Sequence, residues 1–108
     1  MIIVTTETIA TRKILQVFGL VRGTTIRARH IGKDVLAAMR NITGGEVVEY
    51  TKMLAEAREE AIDRMETEAR ALGANAVVGV RFQTSTVMRG AAELHCYGTA
   101  VLLEDATA

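Results

Sequence analysis

Tryptophan is absent from this chain of 108 residues, and Phe18, Phe82, Tyr50 and Tyr97 are its only aromatic residues, so the core must be aliphatic. The shortage also weakens a nucleic-acid reading, because no aromatic interleaves the bases between Arg22 and Arg40 to stack nucleotides. A single cysteine, Cys96, excludes an intrachain disulfide and suits a reducing compartment. Ser85 is the only serine, and no motif sets it beside a histidine and a carboxylate as a nucleophile elbow would. Gly44-Gly45 could present amides to a phosphate, but the P-loop Lys-Ser/Thr pair and the dinucleotide glycine pattern are missing. Met1 to Glu7 lacks the basic and apolar regions of a signal peptide, and no apolar run approaches about 18 residues. These absences predict a soluble, cytoplasmic protein with no membrane partner and no catalytic signature.

What the chain does have is apolar surface and a divided charge. Hydrophobic residues make up 49% of it, while a domain this small buries only about 60–70% of its unfolded surface. The surplus predicts an apolar face covered by further copies of the same chain. Net charge is zero, which argues against a general nucleic-acid binder, yet the distribution is uneven. Arg12, Lys13, Arg22, Arg27, Arg29, Lys33 and Arg40 face Asp34 alone in one stretch. Glu46, Glu49, Glu56, Glu59, Glu60, Asp63, Glu66 and Glu68 dominate the next. The two stretches complement each other, within or between subunits.

The strongest local signal is a long amphipathic segment from Glu46 to Leu72. Tyr50, Leu54, Ala57, Ala61, Met65 and Leu72 recur at helical steps, widened by Met53, Ile62 and Ala69. Thr43 or Gly45 caps its start and Gly73 its end. Around it the pattern predicts strands at Ile2 to Thr5 and Arg12 to Val21. A turn with a short extended piece follows over Val21 to His30, then a brief helix over Lys33 to Ile42. The nearly continuous apolar run from Ile14 to Val21 predicts a strand covered on both faces, of which the helix can cover only one. Two further strands, Ala76 to Met88 and Ala92 to Leu103, are joined through Arg89-Gly90-Ala91 as a hairpin. That loop sets Phe82 opposite Gly98, Thr84 opposite Cys96 and Ser85 opposite His95. Val78, Val80, Phe82, Leu94, Cys96, Ala100 and Leu102 then face the helix, and Arg81, Gln83, Ser85, Glu93, His95, Tyr97 and Thr99 face away. The fold class is α+β: two layers in the order β-α-β-β, the long helix across a mainly antiparallel three-stranded sheet. The whole chain, 1–108, reads as one domain with a frayed tail from Asp105 to Ala108.

Several stretches carry a family resemblance. Val21-Arg22-Gly23, Ala28-Arg29-His30-Ile31-Gly32-Lys33-Asp34, Arg40-Asn41-Ile42-Thr43-Gly44-Gly45-Glu46, Ala71-Leu72-Gly73-Ala74-Asn75-Ala76-Val77-Val78 and Tyr97-Gly98-Thr99-Ala100-Val101 resemble the small bacterial and archaeal YbjQ-like proteins. The resemblance implies a dodecin-like subunit assembling as a homopentamer, with short extra strands serving the assembly. It also implies a heavy-metal ion as a possible ligand, through the family's "putative heavy-metal-binding" label, but supplies no ligand set to transfer residue by residue.

Metal candidates must therefore come from the residues themselves. A soft-metal site needs converging thiolate or imidazole ligands, and this chain offers His30, His95 and Cys96. Neighbours on a strand point to opposite faces, so His95 and Cys96 do not chelate one ion, and Cys96 is expected as a small buried hydrophobe. Glu93 shares the face of His95 and makes the better pair, completed by a symmetry mate or water. His30 follows Arg27 and Arg29, whose charges repel a cation. The function reading is a non-enzymatic homo-oligomeric binding or scaffold protein. The alternative is an enzyme or small-molecule site between subunits, built from Arg81, Gln83, Glu93, His95 and Tyr97.

Overall fold

A computed structural model describes residues 1–28, 44–88 and 91–105, with side-chain surroundings for 1–27, 51–86 and 91–105. Five elements follow one another: β1 (Ile2–Ile3), β2 (Ile14–Ala28), α1 (Gly44–Ala71), β3 (Ala76–Met88) and β4 (Ala91–Leu103). The strands form one mixed four-stranded sheet in the order β1-β3-β4-β2. β1 runs parallel to β3, and β4 is antiparallel to both β3 and β2. The α+β class and the helix across the sheet agree with the sequence pattern, whereas the sheet gains a parallel edge strand. The expected helix from Lys33 to Ile42 and the cap at Thr43 lie outside the described residues.

The helix buries Ala57, Ala61, Met65 and Ala69, one residue per turn, against the sheet. Small residues at three of these four positions let the helix lie close to β2, and Met65 fills the space between. At its C-terminus the Gly73 amide donates to Arg70 O at 3.0 Å and the Ala74 amide to Ala69 O at 3.1 Å, the Schellman pattern. Leu72, expected on the buried stripe, is exposed, because it already belongs to this capping turn.

Gly23-Thr24-Thr25 is not a turn. β2 runs through it without a break, and Gly23 pairs with Cys96 in the middle of the β2–β4 ladder. A Cβ on Gly23 would lie 1.9 Å from the backbone oxygen of Ala61 and 2.7 Å from the backbone nitrogen of Met65. The glycine is there for close helix approach, not for chain reversal.

The hairpin strands have the expected bounds to within one residue, but their register is two residues away. Phe82 faces Cys96, Gln83 faces His95, Thr84 faces Leu94 and Ser85 faces Glu93. The connection is shorter than expected, since Met88 already pairs with Ala91, and an irregularity between Thr86 and Met88 resets the ladder. A slip of two preserves the faces. A second irregularity, between Val78 and Arg81, does not preserve them. Gly79 at φ 62° takes up the extra residue, so Val77 and Val80 both join the core under the helix while Val78 turns outward. Val78 there joins Ala76, Val101 and Leu103, covered by Ile2, Val4, Ile9 and Ile14 of the N-terminal segment. Phe82 keeps its predicted face but stays 49% exposed, because α1 lies over β2 and β4 and barely reaches β3.

Candidate functional site

The surface that carries the chemistry is the sheet face turned away from α1. Period-two alternation along β2 sends Val21, Gly23 and Thr25 under the helix and leaves Leu20, Arg22, Thr24 and Ile26 outside. The register then fixes transverse rows across three strands. Arg22, Tyr97 and Arg81 make one row, Thr24, His95 and Gln83 the next, and Ile26, Glu93 and Ser85 a third. Leu20 and Thr99 border the first row on its other side.

His95 is held within this grid. Its Nδ1 lies 2.9 Å from Thr24 Oγ1 on β2, and its ring tilts at 35° over Tyr97 with centroids 5.6 Å apart. Arg81 is anchored at one end, its Nη1 donating to Thr5 O at 2.8 Å and Val80 O at 2.9 Å. The nearest carboxylate is that of Glu7, which stands 3.9 Å from Nη2 and is almost wholly in solvent. Arg22 is exposed and makes no hydrogen bond or ion pair with the described residues. The face therefore offers two guanidiniums, an imidazole and a phenol, with one half-buried carboxylate, Glu93, two rows from the arginines.

Cys96 is on the other side of the sheet. It is fully buried beneath α1, and that burial pushes its thiol pKa up, partly countered by a hydrogen bond with the Gly23 backbone. A raised thiol pKa disfavours the thiolate that a soft metal needs. Among the described residues no group of three or more His, Cys, Asp or Glu could hold a metal ion. Glu93 and His95 do share a face as expected, but among the described residues no third His, Cys, Asp or Glu joins them. One chain's described residues therefore do not fit a metal centre. His30 lies outside the described residues. Also among the described residues, no helix is long and apolar enough to cross a membrane.

Sequence reasoning missed Arg22 and Thr24 as members of this surface. The signal was available in the alternation Leu20, Arg22, Thr24, Ile26, which continues straight through the glycine.

An α+β chain with a long helix over a mixed sheet, polar donors on the open face and no catalytic constellation among its described residues defines a class by architecture and not by reaction. Comparison with known proteins gives the family. Residues 1–104 match the YbjQ model described as "putative heavy-metal-binding", and the chain belongs to this family. It is 60% identical over 104 residues to a UPF0145 protein of Dehalococcoides mccartyi, covering 96% of this chain and all of that one. It is 59% identical over 102 residues to a UPF0145 protein of Archaeoglobus fulgidus, covering 94% of each. The fold is similar to the crystal structure of a DUF74-family protein of unknown function from Pediococcus pentosaceus. The TM-score is 0.60 at 18% identity, with 96% of this chain and 98% of that one aligned. Relatives thus span bacteria and archaea, and their names assign no activity.

Proposed function

We propose that this chain is the subunit of a non-enzymatic, cytoplasmic homo-oligomer, a pentamer as the family resemblance implies, that acts as a binding or scaffold protein. The observation that carries the reading is the row of large apolar side chains left open along β2. Val17, Leu20 and Ile26 are 62%, 59% and 63% exposed on one strand of the uncovered face. Scattered exposed apolar residues need no explanation, but three on one face of one edge strand, beside half-exposed Tyr97, form a patch that another surface must cover. The shape supports the same reading. The radius of gyration is 17.7 Å, against roughly 13 Å for a compact chain of this length. A subunit this elongated reaches ordinary compactness only in company. Any metal the family label refers to then needs donors beyond the described residues of one copy.

Native mass spectrometry of the purified protein tests this reading and reports any bound metal at once. A five-subunit mass is expected. A monomer at micromolar concentration overturns the proposal.

A further inference from the structure

The helix has its own unmatched surface. Glu56, Glu59 and Asp63 follow at steps of three and four on the side of α1 opposite Ala57, Ala61, Met65 and Ala69. With Lys52, Ala55 and Glu60 they line a shallow, open concavity. Glu60 is already shared between Arg27 and Arg64. The carboxylates of Glu56, Glu59 and Asp63 have no ion pair with the described residues. A subunit of two layers thus carries, on its outer helix face, carboxylates without an ion pair among the described residues, and on its outer sheet face Arg22, equally without one, and Arg81, whose ion pair is a long 3.9 Å contact with the exposed Glu7.

We infer that these two surfaces meet between copies. The sheet face of one subunit packs on the outer face of α1 in the next, with Arg22 and Arg81 against the neighbour's Glu56, Glu59 and Asp63. The inference rests on the homo-oligomer reading above and names its interface. Three observations carry it. The charges are complementary, and a fit between opposite potentials fixes partner and register. The dimensions match: Leu20 to Ile26 extends about 20 Å along β2, and Lys52 to Asp63 about 17 Å along the helix. Ala55 leaves a low point in the acidic stripe, on which Leu20, Ile26 and Tyr97 can settle while the arginines reach the carboxylates beside it.

The same geometry bears on the symmetry. Two sheet faces brought together around a two-fold axis through the Arg22–Tyr97–Arg81 row would set the arginines of the two copies against one another, with Glu93 and Glu7 the carboxylates on that side among the described residues. Sheet on helix is heterologous: every copy gives one surface and receives the other, so the contact repeats and closes as a ring when the rotation allows. An odd-numbered ring follows naturally from such a contact and cannot be built from two-fold contacts alone.

The test is charge reversal on both surfaces, read as the concentration at which the assembly half-dissociates, by sedimentation or mass photometry. Arg22→Glu is the primary variant, because Arg22 makes no hydrogen bond or ion pair with the described residues of its own subunit, and Arg22→Glu with Arg81→Glu is the stronger one. Each should raise the half-dissociation concentration at least tenfold. So should Glu56→Arg with Glu59→Arg and Asp63→Arg. Carrying both sets of reversals in one chain should restore most of the loss. Unchanged urea midpoints in diluted protein show that each variant folds. If wild type assembles but reversal on the helix leaves assembly unchanged, or the combined chain is no better than either parent, the sheet-on-helix contact is wrong while the oligomer stands. A monomeric wild type removes both.

Discussion

Substituting Gly23 by alanine tests the packing at its tightest point. The added Cβ would stand 1.9 Å from Ala61 O, 2.7 Å from Met65 N and 2.9 Å from Ala61 C, all helix backbone and none of it able to rotate away. Ordinary contact is about 3.5 Å, so strand and helix must separate by roughly 1.5 Å. A gap of 0.5–1 Å already forfeits about a quarter to a half of each dispersion contact. Here the gap would open around Val21, Ala61, Met65 and Cys96, which form the centre of the core. Alanine restores about 0.5–1 kcal/mol of backbone entropy relative to glycine, and Gly23 is not at positive φ, so no conformational strain is added. Against that stands an overpacking cost of about 3 kcal/mol or more, beyond the upper end of tolerated insertions because the obstacle is backbone. The net loss is about 2 kcal/mol at least, a large share of the roughly 5–15 kcal/mol that holds a domain together. It should lower the thermal midpoint by about 10 °C or more. Thermal unfolding at matched protomer concentration is the assay, since assembly also stabilises the folded state. A Gly23→Ala protein melting within about 3 °C of wild type would refute the close approach and return Gly23-Thr24-Thr25 to the role of a turn.

Cys96 gives a pH signature. Its folded pKa lies above the ordinary 9.0, so the folded state holds the proton more tightly than the unfolded one. The resulting stability is fully present below pH 9.0 and is lost as pH rises through the folded value, by up to about 1.4 kcal/mol per pH unit. Between pH 8 and 10 the urea midpoint of wild type should therefore fall further than that of Cys96→Ala, and parallel curves would contradict the burial. Asn75 supports the end of β4 from outside the ladder: its Nδ2 donates to Leu103 O at 3.1 Å and its Oδ1 accepts from the Leu103 amide at 2.7 Å. Asn75→Ala should cost about 1–3 kcal/mol and speed amide exchange at Leu103, and unchanged exchange would show the pair to be dispensable.

The long helix and the hairpin were legible because each rests on a period that the chain repeats many times. Ala57, Ala61, Met65 and Ala69 return every turn, and the alternation in β4 holds from Ala92 to Ala100. What escaped was set by single contacts between elements. Gly23 followed by two threonines has the composition of a turn, and only the helix backbone lying over it explains why a glycine is needed in mid-strand. Gly79 hides a bulge that exchanges the faces of Val77 and Val78, and nothing in a run of small and branched residues marks where that exchange falls. The site suffered for the same reason. Glu93, His95 and Tyr97 were correctly placed on one face, but the strand that completes it was divided at Gly23, so Thr24 beside His95 and Arg22 beside Tyr97 were lost from view. With β2 restored to full length, the lone Glu93–His95 pair becomes the middle of a basic, donor-rich sheet surface. Positive neighbours on both flanks of Tyr97 favour carboxylates over a cation. Alternation can say which residues share a face, but what covers that face depends on charge and shape summed over strands distant in sequence.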